Sequence, residues 1–401
     1  MITIAGGIYE EYCMHPHRYN IFGSGGRAAL AIAAMQGEVK LVSYCSSSIL
    51  EVFKSHADLE NFLLEVVDVP VNAKFHYTHA LAEPLIYNIT NDNPSLQVKE
   101  KNVIRFGLIE GTAIIDSEYA VYDPQNVVSP ELFHSNGSKA EHLAIVLNQY
   151  EAKSLFKIDN VPELLETIAI SQKAEVVILK KGPDGCLVYD HQIKEIKHVP
   201  AFSTKKISKI GSGDNFVAHF GFAWMEQKKS AYEAALQASK ATAYYCETEG
   251  FITPERLKTY SPSPIVLSEK IQNGFKPKVY LAGPFFTLAQ LWLIEEARKN
   301  LQDLGLDVFS PYHDVGKGSA EDVVEKDLEG VHECDLLFAI ADGMDSGTIY
   351  EIGYARAISK PVIVYAENES EENLKMMEGS DCKIYKDYVT AIYHTLWMAI
   401  S

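Results

Sequence analysis

The 401-residue chain has no uninterrupted apolar run of 18 residues, so no segment reads as a membrane-spanning helix. It opens Met1-Ile-Thr-Ile-Ala-Gly-Gly7, which reads as a strand and a turn rather than the charged flank and apolar stretch of a secretory leader. Cysteine is sparse. Cys13, Cys45, Cys186, Cys246, Cys334 and Cys382 lie far apart, with no CxxC or His spacing between them. That excludes a disulfide framework or a zinc module and implies reduced thiols in a cytosolic protein. Positive charge is also short: 36 Lys and Arg against 54 Asp and Glu leave a net charge of −18. A surface of that sign disfavours nucleic acid and anionic membranes and suits an enzyme of small metabolites. No internal repeat or low-complexity tract occurs.

The length suggests more than one domain. The best boundary follows Ile252, where Pro254, Ser261-Pro-Ser-Pro264, Asn273-Gly274 and Pro277 crowd into one stretch. Proline and glycine at that density read as a connector. The expected division is a domain over 1–260, a linker over 261–277 and a second domain over 278–401. Before the boundary, apolar runs at 144–147 and 176–179 alternate with helical stretches such as 231–246, an α/β pattern.

The most informative segment lies in the second domain. Residues 336–341 form an apolar run of strand length, a polar Gly-containing loop follows, and then Glu351-Ile-Gly-Tyr-Ala355 begins a helix with Thr348 as the expected N-cap. A further apolar run at 361–366 makes a parallel βαβ unit the economical reading. The ligand crevice of such a unit lies at the carboxyl ends of its strands, where Asp342, Asp345 and Glu351 would gather. Placed in the first turn, Glu351 would be held ionised by the helix dipole, which suits attack on a sugar carbon. Asp335 and Asp342 read as strand-end and turn caps, and His313 and His332 as surface or core histidines.

The string Asp345-Ser-Gly-Thr-Ile-Tyr-Glu-Ile-Gly-Tyr-Ala355, with Tyr280-Leu-Ala-Gly-Pro-Phe-Phe286 upstream, resembles the nucleoside 2-deoxyribosyltransferases over residues 277–401. The resemblance implies a flavodoxin/Rossmann-like parallel sheet and needs no cofactor. It casts Glu351 as the nucleophile at C1′ of the deoxyribose, Asp327 in Asp327-Leu-Glu-Gly330 as the general acid, and Tyr280 and Asp345 as substrate neighbours. Asn373 would be supplied across a subunit contact, which implies a homo-oligomer. An N-glycosidic bond needs such a set, because cleavage builds positive charge on the sugar and negative charge on the base. An acidic Asp345 would repel a phosphate dianion, so the expected substrate is a free deoxynucleoside.

In the first domain Gly211-Ser-Gly-Asp-Asn-Phe216 opens a long helical pattern, and a Gly-x-Gly loop there can present backbone N–H groups to a phosphate. Asp214 could take the proton of an attacking hydroxyl. With Gly25-Gly26, Asn148-Gln-Tyr-Glu151, Tyr122-Asp-Pro124 and Lys181-Gly-Pro-Asp-Gly185, the region resembles the ribokinase-like (PfkB) carbohydrate kinases, an α/β/α fold, over residues 1–260. The resemblance implies ATP and Mg²⁺ as cofactors, Gly211, Ser212 and Gly213 as the anion hole, and Asn148 and Glu151 near Mg²⁺ and phosphate. It places Glu11, Gly25 and Gly26 at the sugar. Leu30 and Ser208 stand where the family has Asn and Asp, and Asn215 and His219 where small residues are common.

The reading is a cytoplasmic bifunctional enzyme of nucleoside salvage acting on nucleosides, nucleobases and a pentose, without nucleic-acid or membrane partners and without a resident protein-bound metal. The alternative is an N-glycoside hydrolase joined to a degenerate, ligand-sensing kinase-like domain.

Overall fold

The computed structural model describes residues 1–90, 92–125 and 130–401. The chain divides into two compact units, one of residues 1–204 and 208–264, the other of residues 205–207 and 265–401. The division after Pro264 falls inside the Pro- and Gly-rich stretch. Residues 265–277, including the short helix Glu269–Gln272, go with the second unit.

The first unit is built on a nine-stranded sheet. In spatial order its strands are Glu195–Val199, Cys186–Asp190, Val176–Lys180, Lys139–Asn148, Ala113–Asp123, Leu96–Phe106, Ile2–Ala5, Val39–Cys45 and Leu63–Asp68. The first two pairings are antiparallel and the rest parallel. Side chains alternate across the pleat, and here both faces are apolar. Ile2, Ile4, Ile104, Phe106, Ala144, Val146, Val176 and Ile178 join one core; Ala5, Val103, Leu143, Ile145, Leu147, Val177 and Leu179 join the other. A strand buried on both faces cannot alternate in hydrophobicity, which is why these segments read as continuous apolar runs. The helices Gly23–Ala34, Ser212–Gly221 and Ala231–Thr248 cover the first face, and Val161–Gln172 the second. The result is an α/β/α sandwich.

A separate four-stranded sheet, in the order Arg18–Ile21, Glu10–His15, Lys74–His79 and Leu85–Tyr87, belongs to the same unit. It carries Glu11.

The second unit has five parallel strands in the order Asp307–Phe309, Lys278–Ala282, Leu336–Ile340, Val362–Tyr365 and Lys383–Tyr385. Counted along the chain this is 2-1-3-4-5, the flavodoxin-like order. Its direction reverses between Lys278–Ala282 and Leu336–Ile340, and the ligand crevice of such a sheet opens there, at the strands' carboxyl ends. Among the described residues no helix is long and apolar enough to cross a membrane.

Two candidate active sites

At the reversal point of the second unit, Tyr280 on the first strand is fully buried, and the ring of Phe309 stacks on it at 5.4 Å between centroids. Its hydroxyl donates a 2.6 Å hydrogen bond to Glu351 Oε1. The helix carrying Glu351 runs Ser346–Ala357, and its N-cap is Asp345, not Thr348. Asp345 Oδ2 accepts from Thr348 N at 2.9 Å and from Thr348 Oγ1 at 3.0 Å. The expected cap failed because Asp345 already offers a charged acceptor to the free N–H groups three residues on.

That shift moves Glu351 into the second turn, beyond the reach of the helix dipole. Its carboxyl is not held ionised. Burial pushes it up to about 7, with Asp327 and Asp345 adding to the rise and the Tyr280 hydrogen bond opposing it. Burial also raises Asp327, on helix Ala320–Glu333, and its Oδ1 is buried with no hydrogen-bond partner among the described residues. A carboxyl whose affinity for a proton is raised by burial is better suited to donate to a leaving base than an ordinary surface acid.

Asn373 does not join this group within its own chain. It is exposed on helix Glu371–Gly379, and its Nδ2 donates to Glu369 Oε2 at 2.7 Å. Glu369 Oε1 in turn accepts from Gly343 N at 2.8 Å. Asp342 accepts from the backbone of Glu367 and Asn368, and Asp335 from that of Lys278. His313 is held between Ser310 and Glu295.

Tyr280→Phe removes the one hydrogen bond that restrains the rise of Glu351. The acid limb of kcat/KM against pH, on which the nucleophile must ionise, is expected to move up by about 1 pH unit. A limb that stays in place would show that Tyr280 does not govern Glu351.

In the first unit, Gly211 (φ +78°) turns the chain into helix Ser212–Gly221. The left-handed φ is the reason for glycine there. Asp214 sits in the first turn, buried, with both oxygens engaged: Oδ2 accepts from Arg27 Nη1 at 2.7 Å and Oδ1 from Gln125 Nε2 at 2.5 Å. Glu11 grips the same guanidinium through both oxygens.

Asn148 and Glu151 form the capping box of helix Gln149–Phe156, so the Asn148 side chain is occupied by the backbone N–H of Glu151. Lys180 Nζ donates to Asp123 Oδ2 at 2.6 Å. Asp123 is 0 % exposed; burial lifts its carboxyl to about 7 against the pull of Lys180, and its Oδ1 has no partner among the described residues. A side chain added at Gly213 would stand 3.8 Å from Lys180 Nζ, so that ammonium flanks the helix start.

The di-glycine lies directly before Arg27, on the helix Gly23–Ala34. Gly25 N and Gly26 N both donate to Gly7 O, so neither offers its N–H to a sugar. A Cβ on Gly25 would meet Gly6 C at 2.5 Å, and one on Gly26 would meet the Phe53 ring at 2.7 Å. Gly25 lets the helix close on the segment after strand Ile2–Ala5, and Gly26 lets it close on Phe53 of the helix Ser47–Leu59. Ser208 Oγ accepts from Arg18 at 2.5 Å. Asn215 and His219 are fully buried, with side-chain polar atoms unpartnered among the described residues, and burial pushes His219 down to about 4.

Sequence reasoning missed Arg27, Gln125 and Lys180. Arg27 had a visible signal: one charge opening the otherwise apolar helical run 27–34, where a lone Arg must find a buried partner.

Comparison with known proteins is consistent with both halves. Residues 279–385 match the family model of nucleoside 2-deoxyribosyltransferases, and residues 140–257 that of pfkB family carbohydrate kinases. An uncharacterized protein of Ureaplasma parvum serovar 3 is 28 % identical over 150 residues, covering 30 % of this chain and 95 % of that protein. A pyrophosphate-dependent kinase in the ribokinase family superposes with a TM-score of 0.50 at 14 % identity, covering 64 % of this chain and 99 % of its own. A nucleoside kinase of Methanocaldococcus jannaschii, an archaeal member of the ribokinase family, gives 0.49 at 14 %, covering 64 % and 98 %. The first of these structural likenesses shows the fold.

Proposed function

From a chain that joins a pfkB-type carbohydrate kinase domain to a nucleoside 2-deoxyribosyltransferase domain, we propose a bifunctional enzyme of nucleoside salvage. The observation that carries the transferase reading is the half-buried Glu351 carboxyl under the Tyr280 hydroxyl, at the reversal point of a parallel sheet. Ionised Glu351 attacks C1′ of a 2′-deoxynucleoside. The C1′–N bond breaks, its electron pair leaves with the base, and Asp327 gives that base a proton. The ester then passes to a second base, whose nitrogen attacks C1′ and frees Glu351, while Asp327 recovers the proton. Burial raises Glu351 to about 7, so it is ionised from that pH upward, and the same burial strengthens the carboxylate's attraction for the positive sugar. Asp345, with Oδ2 committed to its cap, places an acidic side chain at the crevice, which disfavours a 5′-phosphate. Water in place of the second base would make the reaction a hydrolysis.

In the kinase half, the N-terminal turn at 211–214 together with Lys180, Glu151 and Asp123 fits an Mg²⁺–polyphosphate group. Two acids with oxygen to spare can meet hydrated Mg²⁺, and one ammonium beside free N–H groups can meet phosphate. ATP or pyrophosphate bound there would supply the phosphoryl group. Asp214 would take the acceptor's hydroxyl proton, with Gly211 and Gly213 offering backbone N–H to the transferred group and Glu11 facing the acceptor. The Ser212 N–H is spent on Lys209 O at 3.1 Å, so Ser212 could contribute only through its side chain. A second reading, a kinase-like half that binds without turnover, is favoured by one fact: Arg27 already holds Asp214. Asn373 would act from a neighbouring subunit, making the enzyme an oligomer. Free, buried thiols suit a reducing, cytoplasmic setting.

Deoxyinosine incubated with the protein, with and without adenine, tests the transferase. Deoxyadenosine forming only with adenine is the expected chromatogram. Hypoxanthine and deoxyribose without exchange would make the domain a hydrolase; no cleavage of any deoxynucleoside would end the reading.

A further inference from the structure

Phosphoryl transfer needs Asp214 free to take a hydroxyl proton and Glu11 free to accept hydrogen bonds from the acceptor. Neither is free. Arg27 lies between them, 1 % exposed, with every guanidinium nitrogen engaged. Nη1 donates to Glu11 Oε1 at 3.1 Å, Asp214 Oδ2 at 2.7 Å and Gly23 O at 3.3 Å. Nη2 donates to Glu11 Oε2, and Nε to the Tyr245 hydroxyl at 3.0 Å, which in turn donates to Ile210 O. The guanidinium also packs against Gly211, where an added Cβ would stand 2.0 Å from Nε.

The three partners come from separate parts of the unit. Glu11 is on the small four-stranded sheet, Arg27 on a helix covering the large sheet, and Asp214 on the first turn beyond the glycine loop. The cation therefore ties the small sheet to the base. A neutral sugar or nucleoside can offer hydroxyl donors to Glu11 and Asp214 but no positive charge. Taking the guanidinium's place would leave two buried carboxylates without a counter-charge, or the arginine without its acids, and either is costly.

We propose that Arg27 is a built-in occupant of the acceptor position, a specificity-determining residue that bars neutral polyols from Asp214 while it pins the small sheet. The acceptor part rests on the kinase reading above; the pinning part does not.

The experiment uses the full chain as wild type, Arg27→Gln and Glu11→Gln. It records amide hydrogen exchange over residues 10–15, and consumption of ATP or pyrophosphate with 2-deoxyribose, ribose or deoxyinosine. In both variants exchange over 10–15 is expected to quicken at least about tenfold, as a local opening freed from its pin. In Arg27→Gln, donor consumption with a neutral acceptor is expected to rise at least about tenfold over wild type.

Unchanged exchange in both variants overturns the pin. Consumption by wild type that Arg27→Gln loses overturns the occupant and makes Arg27 an acceptor contact. Faster exchange with no consumption by any protein upholds the pin and rejects the kinase reading instead. Should Arg27→Gln fail to fold by circular dichroism, Glu11→Gln decides the pin alone, since it leaves the Arg27–Asp214 pair in place.

Discussion

Glu351→Gln is expected to lower the rate of base exchange about a thousandfold or more, and to make the C-terminal unit more stable above pH 7. The loss follows from chemistry, since an amide oxygen forms no stable glycosyl ester. The gain follows from linkage. The Glu351 carboxyl sits at about 7 in the fold, against an ordinary 4.5, chiefly because it is buried. A group whose folded pKa is raised contributes stability in full below its unfolded pKa and loses it as pH rises through the folded one. Between pH 4.5 and 7 the wild type should therefore lose about 3 kcal/mol that the glutamine variant keeps. Glutamine can still accept from Tyr280. Melting temperature against pH, beside chromatographic exchange rates, reads both effects. A variant that still exchanges bases, or one whose melting falls with pH as steeply as wild type, would remove Glu351 from its role.

Gly25→Ala should unsettle the other unit and spare base exchange. The added carbon would lie 2.5 Å from Gly6 C and 2.6 Å from Gly6 O, and both are backbone atoms of the segment that follows the central strand Ile2–Ala5. Neither can rotate away, so the helix must move off the sheet. Overpacking of this kind costs about 3 kcal/mol. The expected calorimetric trace shows the N-terminal transition lowered while exchange by the C-terminal unit persists at ordinary temperature. An unshifted transition would mean that the helix is free to slide.

The parts legible in the sequence were those written in short stretches. The runs at 336–341 and 361–366 became the strands Leu336–Ile340 and Val362–Tyr365, and 231–246 lies within the helix Ala231–Thr248. Buried parallel strands announce themselves as apolar runs because both faces are covered. The small sheet gave no such signal. Its strands are three to six residues long, and only a few of their residues are buried, so neither alternation nor an apolar run marks them.

Site residues show the same limit. Asp327, Asp345, Glu351 and Tyr280 gather as their motifs suggested, but the cap slipped by three residues and with it the argument about charge. A carboxylate's protonation depends on what surrounds it in space, and Tyr280 is 71 positions away from Glu351. Arg27 and Asp214 are 187 apart. No local pattern encodes such a pair, although the isolated arginine in an apolar helix asked for one.

All six thiols are free and buried, four in the first unit and two in the second. Burial raises each of them, so little reactive thiolate exists while the chain is closed. The molecule thus carries its own clocks. A thiol reagent added to the native protein can react only as fast as each region opens, and peptide mapping would assign every adduct to its unit. A single cysteine introduced on the surface would meanwhile label at once, against a silent background.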